Sequence, residues 1–214
     1  MLIRFVENIG ADTIRFISSF YEALSFFILS ISYVFNPKNY NKELLENLTK
    51  QIYFTSVTTV PFFMFIAILF GSTIIGFVIS FAAKYNILLQ IDTIIITFVF
   101  NEFSAFFTIL YVYLRLIKLQ KLQNITPDIN NTLPEILNAV MSTLMLSILF
   151  AIIMLLSGSI VSSFIIGIDF YTYKSLIFEA IELKNVLVLI IKSSLFGLVG
   201  VLIFYTIPLN LKKL

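Results

Sequence analysis

The sequence predicts an all-α integral membrane protein. An N-terminal interfacial amphipathic elbow helix is followed by four transmembrane helices, or five if the elbow itself crosses. Three observations carry this reading. Of 214 residues, 59% are hydrophobic and only 12% are charged, about half the ~25% charged share of a soluble domain. The mean hydropathy is +1.01. The few charges are also segregated, leaving apolar runs longer than the ~20 residues that a bilayer crossing requires.

Residues 1–48 form the elbow segment. Polar residues recur at Arg4, Glu7, Asn8, Asp12, Arg15, Ser18, Ser19, Glu22 and Ser25, with Leu2, Phe5, Ile9, Phe16, Phe20 and Leu24 among the apolar positions. A spacing of three to four suits a helix lying in the membrane plane. Residues 23–36 are apolar but too short for an ordinary span, so a re-entrant or interfacial elbow is expected, with a fifth span or signal anchor as the alternative. Glu7, Asp12 and Glu22, without a small-residue cleavage pattern, argue against a secretory signal.

Residues 49–214 read as one transmembrane domain. The first span lies within residues 51–83, uncharged between Lys50 and Lys84; its length predicts a tilted helix beginning in the interface, and Pro61 permits a kink. The second runs over about residues 91–114 and contains Glu102. The third occupies the uncharged run 136–168, and the fourth, about 185–211, contains Lys192. Arg4, Arg15, Lys38, Lys42 and Lys50, then Arg115, Lys118 and Lys121, then Lys212 and Lys213 fall on one side; Lys84, Lys174 and Lys184 fall on the other. The positive-inside rule therefore predicts both termini in the cytoplasm. Tyr53, Tyr85, Tyr111, Tyr113, Tyr171, Tyr173 and Tyr205 lie near span ends and are expected to form the interfacial belt in a chain without Trp.

Several chemistries are excluded. The chain has no Cys and no His, which removes disulfides, thiolate metal sites and the usual nucleophile–base pairs. Its acidic residues are scattered, so no metal cluster or catalytic carboxylate pair is visible, and no glycine opens a phosphate-binding loop. A net charge of +2 without a basic stripe argues against nucleic acid. Neither an enzyme nor a cofactor is expected. A transported substrate would be apolar, with energy supplied by a partner.

Charges within spans are costly and therefore candidates for function. Glu102 and Lys192 lie at similar depths, roughly 15 Å and 12 Å inward from Asp92 and Lys184 at helical rise. A buried pair between the second and fourth spans is expected, either holding the bundle or lining a substrate path; either residue facing an aqueous cavity alone is the third reading. Ser157-Gly158-Ser159, Ser162, Ser163, Ser193, Gly197 and Gly200, with Gly71, Ser72 and Gly76, place small residues at helical spacing. That pattern predicts close helix packing or dimerisation, with a substrate groove as the other reading. Residues 117–134 are the sizeable polar segment between spans, with turn and helix-start chemistry at Thr126-Pro127-Asp128 and Asn130-Asn131-Thr132-Leu133-Pro134.

The order of motifs is also familiar. After the elbow, Gln51-Ile52-Tyr53-Phe54-Thr55-Ser56-Val57 opens a span. Asn101-Glu102-Phe103-Ser104-Ala105-Phe106-Phe107-Thr108-Ile109-Leu110 and Arg115 follow, then Ser157-Gly158-Ser159-Ile160-Val161, then Ile191-Lys192-Ser193. This set resembles the MlaE-like permease family, the membrane subunits of ABC-type lipid transporters that work with MCE proteins. Glu102 and Arg115 fall on the family's Arg-Glu-Leu-Gly-Pro and Ala-Gly-Arg stretches, and Ile191-Lys192-Ser193 on its Ile-Lys-Ser. Ser104, Ala105 and Leu114 replace the family's Gly, Pro and Gly, the usual coupling segment has no counterpart, and a shortened form without the final span is expected.

The resemblance implies a homodimer in a cell inner membrane, or an organellar one, that docks cytoplasmic ABC ATPase subunits and passes phospholipid or a related lipid to an MCE-domain partner. Glu102 and Lys192 would hold two helices in register or contact a headgroup, and Arg115 would anchor the cytoplasmic end. Lys118, Lys121, Asp128 and Pro134 would take the ATPase-coupling position. The alternatives are a non-transporting scaffold or accessory subunit derived from such a permease, and an unrelated small carrier or channel.

Overall fold

The structure, a computed structural model, describes residues 40–85, 87, 90–123, 129–167 and 169–211, together with scattered positions among the first 39. Side chains are described throughout these ranges except at 117–133, 166 and 202–211. The expected elbow therefore lies for the most part outside the described residues.

Every element among the described residues is helical. In chain order these are α1 (Lys42–Thr55), a 3₁₀ turn (Val57–Thr59), α2 (Val60–Lys84), α3 (Ile91–Ile95), a π-helical segment (Ile96–Phe103), α4 (Ser104–Gln123), α5 (Ile129–Ile166), α6 (Phe170–Phe178) and α7 (Leu183–Leu211). Four stretches are long and apolar enough to cross a membrane: Lys42–Lys84, Ile91–Leu116, Pro134–Ile165 and Leu183–Val201. The four expected spans are thus present.

Local chemistry sets the ends. Asn41 caps α1, its Oδ1 accepting from the Leu44 amide at 2.7 Å, and Glu46 pairs with Lys50 one turn on at 2.9 Å. Pro61 does not kink a continuous helix, as the sequence reading allowed. The helix instead stops at Thr55 and α2 begins at Val60, placing Pro61 in a first turn whose amide needs no partner. Gly167, at φ 72°, ends α5 in the left-handed conformation that glycine adopts without strain, and its amide bonds the Ser163 carbonyl at 3.1 Å. Asp169 then caps α6 through the Tyr171 and Thr172 amides. Pro134 lies inside α5 rather than at its start, so the expected polar loop 117–134 is largely helical.

Helix α5 is the hub, contacting α1, α2, the π segment, α4, α6 and α7. Its long seam with α2 is set by glycine: a Cβ on Gly71 would stand 2.6 Å from both the Cα and the carbonyl oxygen of Met154. Farther along, Gly158 packs against Ile75 and Gly76 against Val161. Gly197 likewise brings α7 close to the α5 backbone, 2.9 Å from Val140 Cα by the same measure. The small residues thus serve packing within one chain. In a bilayer, where lipid tails are as apolar as Leu, close backbone approach supplies the dispersion that holds helices together. Phe63, Phe107 and Phe150 fill the middle, with Phe63–Phe150 and Phe107–Phe150 centroids both 5.0 Å apart.

Candidate functional site

The second span changes helical register where it carries its charge. From Ile96 to Phe103 the backbone is π-helical, a rare arrangement in which i→i+5 bonding admits an extra residue per turn. The segment includes Asn101 and Glu102. Asn101 is 7% exposed and its Oδ1 is buried without a partner. Ser104 Oγ donates back to the Phe100 carbonyl and Thr108 Oγ1 to that of Ser104, satisfying carbonyls where regular bonding resumes.

Glu102 faces α7. Lys192 Nζ donates to Glu102 Oε1 and the two form an ion pair. The pairing holds because α4 and α7 run side by side in the same direction, with Gly200 packed on Ile109 farther along. The side chains of Lys192 and Glu102 are 33% and 50% exposed, so the pair is open at the protein surface rather than sealed in the core. Within residues 93–114 and 185–211 these are the sole charges.

Beyond the pair lies a shallow groove of ≈ 250 Å³ lined by Phe106, Ile109, Leu110, Tyr113 and Gly200. On α4 the lining follows i, i+3, i+4, i+7 spacing, one helical stripe, and Glu102 stands one turn before its first member. Lys192 stands two turns before Gly200 on α7. The second span and α7 therefore carry a charged pair followed by an apolar trough, the polarity profile of an amphiphile.

A second polar cluster gathers at the end of α1. Arg115 Nη2 donates to the Phe54 carbonyl at 3.3 Å, and its guanidinium lies 4.2 Å from the Phe54 ring centroid. Asn138, fully buried, donates from Nδ2 to Thr55 Oγ1 at 3.2 Å and accepts from Ser142 at 3.0 Å. Thr58 and Thr59 return their hydroxyls to the carbonyls of Phe54 and Thr55, which the break before α2 leaves without regular helical donors. Arg115 and Asn138 flank the segment 116–137 on either side, so both ends of that connection grip the last turn of α1.

Of the other expected site residues, Lys118 and Lys121 sit on the last turns of α4 with side chains outside the described residues, and Asp128 lies outside them altogether. Pro134 is buried on α5. Tyr173, expected in the interfacial belt, is only 2% exposed: glycine at 158 leaves room for its hydroxyl, and burial pushes its phenol pKa upward. Tyr53, Tyr85 and Tyr171 are exposed. Asn138 is not singled out by the sequence; Thr55, Phe106, Ile109 and Leu110 enter there only as motif positions, Tyr113 as a belt residue, and Gly200 as a packing position with a groove as the other reading. The i, i+4 placement of Asn138 and Ser142 in an apolar run was the available signal for the first. No group of His, Cys, Asp or Glu able to hold a metal occurs among the described residues.

The family model for Permease MlaE matches residues 119–212, a little under half of the chain. The matched stretch holds Asn138, Lys192 and Gly197, while Glu102 and Arg115 lie before it. Over this region the chain is similar to the MlaE permease family, and the match together with four helices of spanning length fits a transporter permease. No curated protein and no solved structure matches the chain.

Proposed function

We propose that this chain is the permease subunit of an ABC-type lipid transporter, taking a phospholipid or related amphiphile at the Glu102–Lys192 pair and the adjoining groove. The observation that carries the reading is the juxtaposition on the second span and α7 of an open ion pair and an apolar trough. Charge inside a span is costly and is retained where it meets a substrate, a partner or water, and an acyl chain matches the trough as the headgroup matches the pair. The chain shows no nucleotide-binding motif, so ATP hydrolysis belongs to a separate cytoplasmic subunit. In this reading two copies form the working dimer in a cell inner membrane with both termini in the cytoplasm. An MCE-domain partner receives the lipid on the opposite side. Lys118, Lys121, Asp128 and Pro134 meet the ATPase. Arg115 and Asn138 pass movement of that contact to α1.

The test is affinity purification of the tagged protein in mild detergent, with partners identified by mass spectrometry and ATPase activity measured. Recovery of an ABC ATPase whose turnover changes with Glu102→Ala or Lys192→Ala is expected. Recovery without any nucleotide-binding subunit overturns the transporter reading and favours the scaffold or accessory role.

A further inference from the structure

Resting on the lipid-permease reading above, we infer that the Glu102–Lys192 pair selects a zwitterionic headgroup carrying a primary ammonium and a phosphodiester. The argument is one of charge conservation in a medium that penalises net charge. Glu102 and Lys192 are the sole charges in the interior of their spans and compensate each other. A ligand entering between them replaces that contact, and each freed charge must find an opposite partner, because an uncompensated ion within a bilayer is strongly disfavoured. An ammonium meets Glu102 and a phosphodiester meets Lys192, so one ion pair becomes two and the site stays neutral.

Other headgroups fail one half of this exchange. A phosphoglycerol headgroup supplies only an anion, leaving Glu102 beside a second negative group. A phosphocholine headgroup balances charge, but its quaternary nitrogen has no N–H to donate to the carboxylate, losing a charge-assisted hydrogen bond. The partial exposure of both side chains, 33% for Lys192 and 50% for Glu102, leaves each atom set approachable without dismantling the bundle. Phe106, one turn from Glu102, begins the trough that takes the acyl chain.

The experiment uses the full chain reconstituted in phosphatidylcholine vesicles with acyl-chain spin-labelled phosphatidylethanolamine, phosphatidylcholine or phosphatidylglycerol, reading the motionally restricted fraction by electron paramagnetic resonance. The wild type should hold phosphatidylethanolamine about tenfold more tightly than phosphatidylcholine, the scale of one charge-assisted hydrogen bond, and phosphatidylglycerol least. Glu102→Gln, which leaves Lys192 alone, should move phosphatidylglycerol to the top of the order. The charge-neutral double variant Glu102→Gln/Lys192→Met should remove discrimination, and Leu110→Trp should weaken all three lipids equally by filling the trough. Misfolding cannot produce a reversed order. Specific restriction of all three lipids without headgroup preference, or the same order in wild type and Glu102→Gln, overturns the inference while leaving the lipid site standing. Absence of specifically restricted lipid overturns both.

Discussion

Replacing Gly71 by alanine places a methyl where the α5 backbone already stands. The new Cβ would lie 2.6 Å from Met154 Cα and 2.6 Å from its carbonyl oxygen, with Ser157 Oγ crowding the same space. An ordinary carbon contact needs ~3.5 Å, and a backbone atom cannot rotate away, so α2 and α5 must separate by close to 1 Å. A gap of that size forfeits roughly a quarter to a half of each contact's dispersion. The seam includes fully buried Phe63, Ala67, Ile75, Phe150 and Met154. Overpacking of this kind costs about 1–3 kcal/mol, and Gly71→Ala belongs at the upper end. By the scale of water-soluble domains of similar length, ~2–4 °C per kcal/mol, the melting temperature falls by about 6–12 °C. Gly197→Ala, at 2.9 Å from Val140 Cα, should lose less. Gly10→Ala meets nothing within 4 Å and should change stability little. Thermal unfolding in detergent, followed by circular dichroism at the helical band, gives the ranking. A Gly71→Ala protein as stable as wild type, or less affected than Gly197→Ala, would refute the packing argument.

Three further outcomes are expected. Asn138→Ala deprives Thr55 and Ser142 of their buried partner and should cost about 1 kcal/mol, and a double-mutant cycle with Thr55→Ala should show positive coupling where independent effects would be additive. Tyr173→Phe removes a buried hydroxyl that has no hydrogen-bond partner, so the melting temperature should hold or rise, and a clear fall would mean that the hydroxyl is satisfied in the bilayer. Asp169 has its pKa lowered, chiefly by the Thr172 hydroxyl and then by backbone amides. A depressed carboxylate stabilises above its unfolded pKa of ~3.9, and that contribution is lost as pH falls through the lower folded value. Hydrogen exchange in α6, corrected for intrinsic rates, should therefore rise at strongly acidic pH in wild type but not in Asp169→Asn, whose amide oxygen still caps the helix.

The break between α1 and α2 shows how far a one-dimensional reading reaches. The uncharged run after Lys50 required a span, yet it did not state that Pro61 begins a helix instead of bending one. That outcome depends on Arg115 and Asn138 arriving from α4 and α5 to hold the carbonyl and hydroxyl of Phe54 and Thr55. The extent of α5 was also understated. Asn130-Asn131-Thr132-Leu133-Pro134 reads locally as turn and helix-start chemistry, and the helix runs from Ile129 through Pro134. Tyr173 reads as a belt residue from its position near a span end, yet it is buried with its hydroxyl against Gly158.

Glu102 and Lys192 were legible as candidates because intramembrane charge is rare, and their common depth followed from counting residues along two helices. The groove was not legible, since Phe106, Ile109, Leu110 and Tyr113 are ordinary members of an apolar span until α7 stands beside them. The sequence by itself determined the helical class and the four spans after residue 48, because a bilayer compels every backbone group to bond within its own segment and so makes composition decisive. It also determined which charges must be explained. Tertiary structure alone decided the π-helical register at Glu102, the lock at the end of α1 and the trough between α4 and α7. Each of these depends on which side chains of one helix meet those of another, a relation that residue order along the chain does not contain.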